Sequence, residues 1–514
     1  MGFLESYSES VFAAATLATT TLAFLIIKTH FRRFSGKGRP HVVAGTALNM
    51  MLNYHRLYDY LADLARKHKT FRILSFLRSD VCTADPVNVE YILKTNFLNY
   101  GKGWYHYSIL KDLLGDGIFT VDGDKWRHQR KTSSYEISTK IVRDFSIEVF
   151  KSNAIKLAGV ISEASMSKTT IDVQDLLLKS TLDTVFKVVL GVELDTMYGT
   201  YEEGTKFSRA FDAASEITMY RYIDIFWKIK RLLNIGSEAE LKKSIKVIDE
   251  FVNKIIKNKI EQAETTPNDL PMRKGDLISR FLELKETDPK YLTDIIFSFM
   301  IAGRDTTATT LSWFLYMLCK HPHLQERIAV EVKHKMKLKN DSTIDEVAAS
   351  ITAETLERMH YLHATLTETL RLYPVLPTDG KTCLTDDTLP DGFNVRKGDL
   401  VAYQPYAMGR MKCIWGDDPE EFRPERWLDK DGRFQQESPF KFTAFQAGPR
   451  ICLGKDFAYR QMKIFAAVLL YGYNFKLADP KKPVNYRIML TLFVKEGLHL
   501  QASKRSWPFE FIDT

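Results

Sequence analysis

Phe445, Gly448, Arg450, Cys452 and Gly454 stand at the offsets F-x-x-G-x-R-x-C-x-G, and a helical pattern begins directly behind them. No other stretch limits the fold of this chain as strongly. Glycine at 448 and 454 permits positive φ and lets a flat ligand approach the main chain closely. Arg450 places a permanent charge two residues from the sulfur. The first amides of the following helix point back at Cys452, which favours thiolate over thiol. A lone cysteine ahead of a helix is ordinarily a buried free thiol. The Phe, two Gly and Arg at fixed distances argue for a ligand.

A thiolate held this way suits the axial position of haem iron, to which it donates electron density. At these residues the sequence resembles the cytochrome P-450 family of haem-thiolate monooxygenases, and Ala458 also matches. The resemblance implies a mainly α fold with a smaller β-rich portion. It implies haem b with Cys452 as the metal ligand and with Phe445 and Arg450 against the cofactor.

The 514 residues are 45% apolar, enough for a sizeable core, and the formal net charge is +8. That charge is mild for the length and fits an acidic partner or an anionic membrane surface better than nucleic acid. The five cysteines are odd in number and include no C-x-x-C. A disulfide framework and a zinc ribbon are therefore disfavoured, and a reducing compartment fits.

Val11–Ile27 holds only Ala, Val, Leu, Ile, Phe and Thr. As a helix it is roughly 25 Å long, at the short end for a bilayer. Glu5 and Glu9 precede it, while Lys28, Arg32, Arg33, Lys37 and Arg39 follow. A cleaved signal peptide wants a basic start, so an uncleaved anchor is the better reading. The basic side stays cytosolic. The expected organisation is an anchor over 1–30, a basic hinge over 31–40 and a haem-binding catalytic domain over 41–514. That places a single-pass protein in the endoplasmic reticulum membrane with its catalytic domain in the cytosol.

Tyr100–Phe119, rich in glycine and aromatics, reads as a long irregular loop. Trp126 and Arg130 are four apart and share a helix face. On spacing alone this is as much a surface Arg on a Trp; by the resemblance the pair binds a haem propionate. Tyr291–Lys320 reads as one long helix, apolar on most faces, with charges near its middle. Ala302-Gly303-Arg304-Asp305-Thr306 matches the family's A/G-G-x-D/E-T pattern, which implies that Asp305 and Thr306 deliver protons to oxygen at the haem. Glu368 and Arg371 form E-x-x-R, 452 − 368 = 84 residues before the cysteine, with Arg426 between. The spacing alone describes many surface ion pairs. The order resembles the family's buried Glu-Arg-Arg cluster. Lys381 stands where the family has a basic residue for a propionate. Ile488, Leu490, Leu492 and Val494 alternate with period two, with Glu496-Gly497 as a turn.

Tyr100-Gly101-Lys102-Gly103, Met408-Gly409-Arg410-Met411 and Phe422–Trp427 are similar to the plant fatty-acid ω-hydroxylase branch. The implied reaction is R–H + O2 + NADPH to R–OH + water. Electrons come through a separate NADPH–cytochrome reductase, and NADPH is not bound by this chain. Lys125, Arg127, His128, Arg130, Lys131, Lys455 and Arg460 could form its docking surface; for all but Arg130 a solvated charged face is the alternative. Phe297, Ile301, Ala302, Leu376, Pro377, Leu490 and Leu492 are the expected walls of a lipid substrate pocket. Two rivals remain at this level: a hydroperoxide-rearranging haem-thiolate enzyme, which needs no Asp–Thr pair, and a non-catalytic haem- or lipid-binding protein.

Overall fold

The structure, a computed structural model, describes residues 42–74, 79–199, 201–265, 276–283 and 288–507. The expected anchor over 1–30 and hinge over 31–40 lie outside the described residues. Among those described, no helix is long and apolar enough to cross a membrane.

Most of the described chain is helical, and the β portion is small. Its main sheet has six strands: β1 (Val43–Thr46), β2 (Thr70–Leu74), β3 (Ser79–Thr83), β4 (Tyr100–Gly101), β5 (Asp379–Cys383) and β6 (Leu400–Tyr403). The spatial order is β1-β2-β3-β6-β5-β4. Strands far apart in sequence are neighbours in it: Cys82 of β3 and Gly380 of β5 both stand opposite Ala402 of β6. Because side chains alternate along a strand, Asp80, Cys82, Leu400 and Ala402 share the face that lines the central cavity.

Seven helices matter for the site: α1 (Leu57–His68), α2 (Gly103–Leu114), α3 (Gly123–Ser138), α4 (Glu202–Tyr220), α5 (Pro289–Lys320), α6 (His360–Leu372) and α7 (Lys455–Gly472). The 32 residues of α5 make a rod of about 48 Å. Its start is fixed by Asp288, whose carboxylate accepts from the Lys290 amide at 3.0 Å, while Pro289 at the first helical position loses no bond there. Its apolar faces are buried in two cores. The N-terminal half packs Ile295, Ile296 and Met300 with Phe186, Phe207 and Phe211. The C-terminal half packs Leu311, Phe314 and Leu318 with Phe465 and Leu469 of α7. Trp313 stacks on Tyr373 at 4.2 Å between centroids.

Two sequence expectations fail locally. Tyr100–Phe119 is not a loop, because α2 occupies its middle. The helix is stabilised from a distance: the Asp122 carboxylate accepts from the Lys102 amide at 2.8 Å and from the Gly103 amide at 3.0 Å. A cap 19 residues away leaves no mark in the local pattern. The period-two run near the C-terminus is also broken. β7 (Tyr486–Ile488) and β8 (Leu492–Val494) pair antiparallel, so Leu490 sits in the turn, and Glu496-Gly497 belongs to the next turn, before His499–Lys504.

Candidate active site

The cysteine loop is folded on itself and braced from behind. The Cys452 amide donates to the Phe445 carbonyl at 2.8 Å. Gly448 has φ +65°, and a Cβ there would fall 1.9 Å from the Leu93 carbonyl oxygen. Gly448 therefore serves close packing against Leu93 and not, as expected, a ligand. Gly454 behaves differently: a Cβ there would meet only Cys452 Sγ, at 3.9 Å. The space beside the sulfur is open.

That space belongs to a cavity of about 470 Å³. Cys452 lies deep in the protein yet is reachable by solvent through it. Burial pushes its thiol up; a hydrogen bond from the Gly454 main chain and the charges of Arg130 and Lys455 pull it back. The helix-start effect expected from sequence is thus present but outweighed by burial.

Arg130 and Trp126 lie on the same face of α3, and both line the cavity. Arg130 has no carboxylate partner among the described residues; burial pulls its guanidinium down and the Cys452 charge opposes that. Arg450 stacks on the Trp126 ring at 4.3 Å. It is fixed by Asp122 at 2.6 Å and the Val121 carbonyl at 3.0 Å. Its buried Nε has no hydrogen-bond partner among the described residues. An unpaired arginine, an orphaned Nε and a cysteine facing open space fit haem with its two propionates. Lys381 does not join them. Its Nζ bonds Asp379 at 2.9 Å, and the residue is absent from the cavity wall. Asp379 also holds Lys102 at 3.4 Å, so Asp379 and Lys102, not Lys381, face the cavity there.

On α5, Ala302, Gly303, Thr306, Thr307 and Thr310 line the cavity. The Thr306 hydroxyl donates to the Ala302 carbonyl. Gly303 makes room for Val185, whose Cγ2 would lie 2.5 Å from an added Cβ. Asp305 points elsewhere. It pairs with Arg304 at 2.7 Å, and Arg304 also holds Asp212 at 2.7 Å and Ser208 at 2.8 Å on α4. Burial pushes the Asp305 carboxyl up to about 6, with Arg304 pulling it down.

Glu368 and Arg371 are fully buried and joined by two bonds of 2.7 Å. The expected second arginine fork is looser: Arg426 Nε stands 3.5 Å from Glu368 and makes no hydrogen bond to it. The Trp427 indole N–H at 2.8 Å and the Arg423 amide at 2.9 Å complete the carboxylate's bonding. Arg371 in turn donates to the carbonyls of Gly409, Pro419 and Glu421. The cluster therefore pins the segment that leads towards the cysteine loop.

Of the expected substrate walls, Ile301, Ala302, Leu376 and Leu490 line the cavity. Phe297, Pro377 and Leu492 do not. Phe297 is buried in the core that also holds residues of α2 and α4, and Leu492 is buried in the sheet-side core. Phe299, Phe119, Val375 and Ile488 take their places. Phe299 is the cavity-facing phenylalanine because α5 turns about 100° per residue, which puts positions 297 and 299 on different faces.

A family model for cytochrome P450 matches residues 36–500. The chain is 49% identical over 498 residues to Cytochrome P450 704C1 of Pinus taeda, covering 94% of this chain and 95% of that protein. It is 44% identical over 496 residues to Cytochrome P450 704B1 of Arabidopsis thaliana, covering 90% and 94%. It is 40% identical over 470 residues to Cytochrome P450 86B1 of the same plant, covering 88% and 82%.

Proposed function

The chain belongs to the cytochrome P-450 family of haem-thiolate monooxygenases, and from that premise we propose that it hydroxylates the terminal carbon of long-chain fatty acids. The observation that carries the reading is the cavity itself: apolar side chains from α1, α5, the β7–β8 turn and the sheet converge on a space that also contains Cys452 and Thr306. Such walls can bind an alkyl chain at about 0.8 kcal/mol per buried CH₂. Terminal methyl C–H bonds are stronger than those of methylenes, so terminal attack needs a passage that presents only the chain end. Phe299, Leu376 and Leu490 are the bulky groups available to narrow it.

Haem with a thiolate ligand supplies the oxidising chemistry, placing one atom of O2 in a C–H bond while the other leaves as water. Cys452 would hold the iron, and Arg130, Arg450 and Trp126 would hold the propionates. Thr306 presents a hydroxyl at the cavity wall. Asp305, with its carboxyl near 6, can take up and release a proton near neutral pH. Arg304 links it to Asp212, whose side chain is partly exposed.

Electrons would come from NADPH through a separate reductase. Lys455 and Arg460 remain candidates for its docking face. Lys125 and Arg127 are already paired, with Asp116 at 2.8 Å and Asp124 at 2.6 Å. Association with the endoplasmic reticulum membrane is part of the same proposal. Besides the apolar run over 11–27, Ile225, Phe226, Ile229, Leu232 and Leu233 are exposed, as are Leu48 and Leu52. The Tyr54–Tyr220 ring contact at 6.0 Å joins these two neighbourhoods.

The deciding experiment supplies reductase, NADPH and hexadecanoic acid to the haem-loaded protein and identifies products by mass spectrometry. A dominant ω-hydroxy acid is expected, and Cys452→Ala should yield none. Mainly in-chain alcohols, or turnover of a sterol or phenolic with no fatty acid, would overturn the substrate assignment.

A further inference from the structure

The sheet wall of the cavity carries a buried amide that is poorly provided with partners. Gln404 follows β6 directly. It is 2% exposed, it lines the cavity, and neither Nε2 nor Oε1 has a hydrogen-bond partner among the described residues. Its main chain is fixed: the Gln404 carbonyl accepts from the Met408 amide at 2.8 Å, and Pro405 sets the next φ. It lies two residues beyond Ala402, roughly 7 Å along the strand direction. Beside it stands the thiol of Cys82, pushed well up by burial while a contact with the Gln404 side chain pulls it back; a thiol is a weak partner. Other residues lining the cavity include Leu61, Ile73 and Ile223, together with the buried carboxylate of Asp80 on the same sheet face, which also disfavours a second negative charge. A buried amide left with so weak a partner is costly, and the balance changes if a ligand brings a group that both donates and accepts.

We propose that the Gln404 amide is the contact for the polar head of the substrate chain, an un-ionised carboxyl group. The Nε2–H would donate to its carbonyl oxygen, and Oε1 would accept from its hydroxyl. A carboxylate anion fits less well, because Lys102 is paired with Asp379 and Arg450 with Asp122, and the unpaired Arg130 lies beside Cys452, where it is assigned to a propionate. With the head on the sheet wall, the chain runs to the helical wall where Ala302, Thr306 and Cys452 lie. The inference rests on the fatty-acid reading above and assigns the residue that fixes the far end of that substrate.

The test is equilibrium binding to the haem-loaded full chain, followed by difference spectra, with hexadecanoic acid, hexadecanol and hexadecane. Gln404→Leu should weaken the acid about tenfold and the alcohol several-fold, and leave the alkane within about twofold. Gln404→Glu keeps an acceptor and should retain the alcohol while losing the acid. Should the Leu variant fail to load haem, Gln404→Met carries the same comparison. Unchanged acid binding in the Leu or Met variant overturns the inference alone, as does an equal loss for all three ligands. Wild-type protein that binds none of the three overturns the fatty-acid reading and the inference with it.

Discussion

Asp122 holds Arg450 at 2.6 Å through Oδ1 while its two oxygens accept the amides of Lys102 and Gly103. One carboxylate thus ties the start of α2 to the arginine of the cysteine loop. Asp122→Ala should free two helix-start amides and leave Arg450, nearly buried, without its counter-ion. The expected loss is about 2 kcal/mol, the scale of a lost cap plus a partly exposed ion pair. Denaturant midpoints followed through the haem absorbance measure it. An unchanged midpoint would show that α2 and the loop are independent.

Asp305 titrates near 6 in the fold, against about 4 in an unfolded chain. Its acid form is therefore favoured by folding, so stability should fall as pH rises through that window. The contribution is a slope of about 1.4 kcal/mol per pH unit between the two values. Asp305→Asn should flatten that part of the stability–pH curve. Parallel curves for the two proteins would place the titration elsewhere.

Thr306 is the hydroxyl on α5 expected to pass protons towards the cavity. Thr306→Val keeps the shape and removes the group. NADPH consumption should persist while product falls by roughly 10²-fold, the low end for loss of one proton-transfer group, with hydrogen peroxide released. Unchanged coupling of NADPH to product would remove Thr306 from this role.

Glu368→Gln breaks a buried pair without changing its volume. Arg371 would keep its three carbonyl partners but lose the Glu368 carboxylate it bonds at 2.7 Å. An uncompensated buried charge costs about 3–5 kcal/mol. The yield of haem-loaded protein should collapse, and any that survives should unfold at much lower denaturant.

A single methyl group at position 448 should have a comparable effect by a steric route. Gly448→Ala would set a Cβ 1.9 Å from the Leu93 carbonyl at φ +65°. No flexible side chain stands at the clash, so the main chain of the loop must move and carry Cys452 with it. The haem absorbance spectrum reports this directly. A wild-type spectrum in the Ala variant would mean that the loop has room to spare.

What the sequence disclosed depended on how local each determinant is. Cys452, Glu368 and Arg371 were legible because their partners lie within a few residues or in a fixed order. α5 was legible because thirty apolar-rich residues without proline leave few other options. Asp122 was not, since its partners are 19, 20 and 328 residues away. Lys381 was assigned to the cofactor by position, but Asp379, two residues earlier on the same strand, captures it. Gln404 carried no signal at all: an isolated amide between Tyr403 and Pro405 becomes notable only once it is found buried on the cavity wall with no strong hydrogen-bond partner beside it. The turn at Leu490 was hidden because strand alternation and a tight turn can share the same apolar residues.

That turn has a consequence for how such a chain can diversify. The strands on either side are clamped: in β8 the Leu492 amide donates to the Val375 carbonyl at 3.0 Å and its carbonyl accepts from the Trp313 indole at 2.7 Å, and in β7 the Tyr486 hydroxyl donates to Asp59 at 2.9 Å. Between them, Leu490 and Thr491 project into the cavity. Stem and tip are therefore separable. Substitutions at Leu490 alter the width offered to an incoming chain while the clamps keep β7 and β8 in register. A lineage can explore new substrates at this point without first finding a compensating mutation, whereas the same change at Phe297 or Leu492 would have to be absorbed by the core.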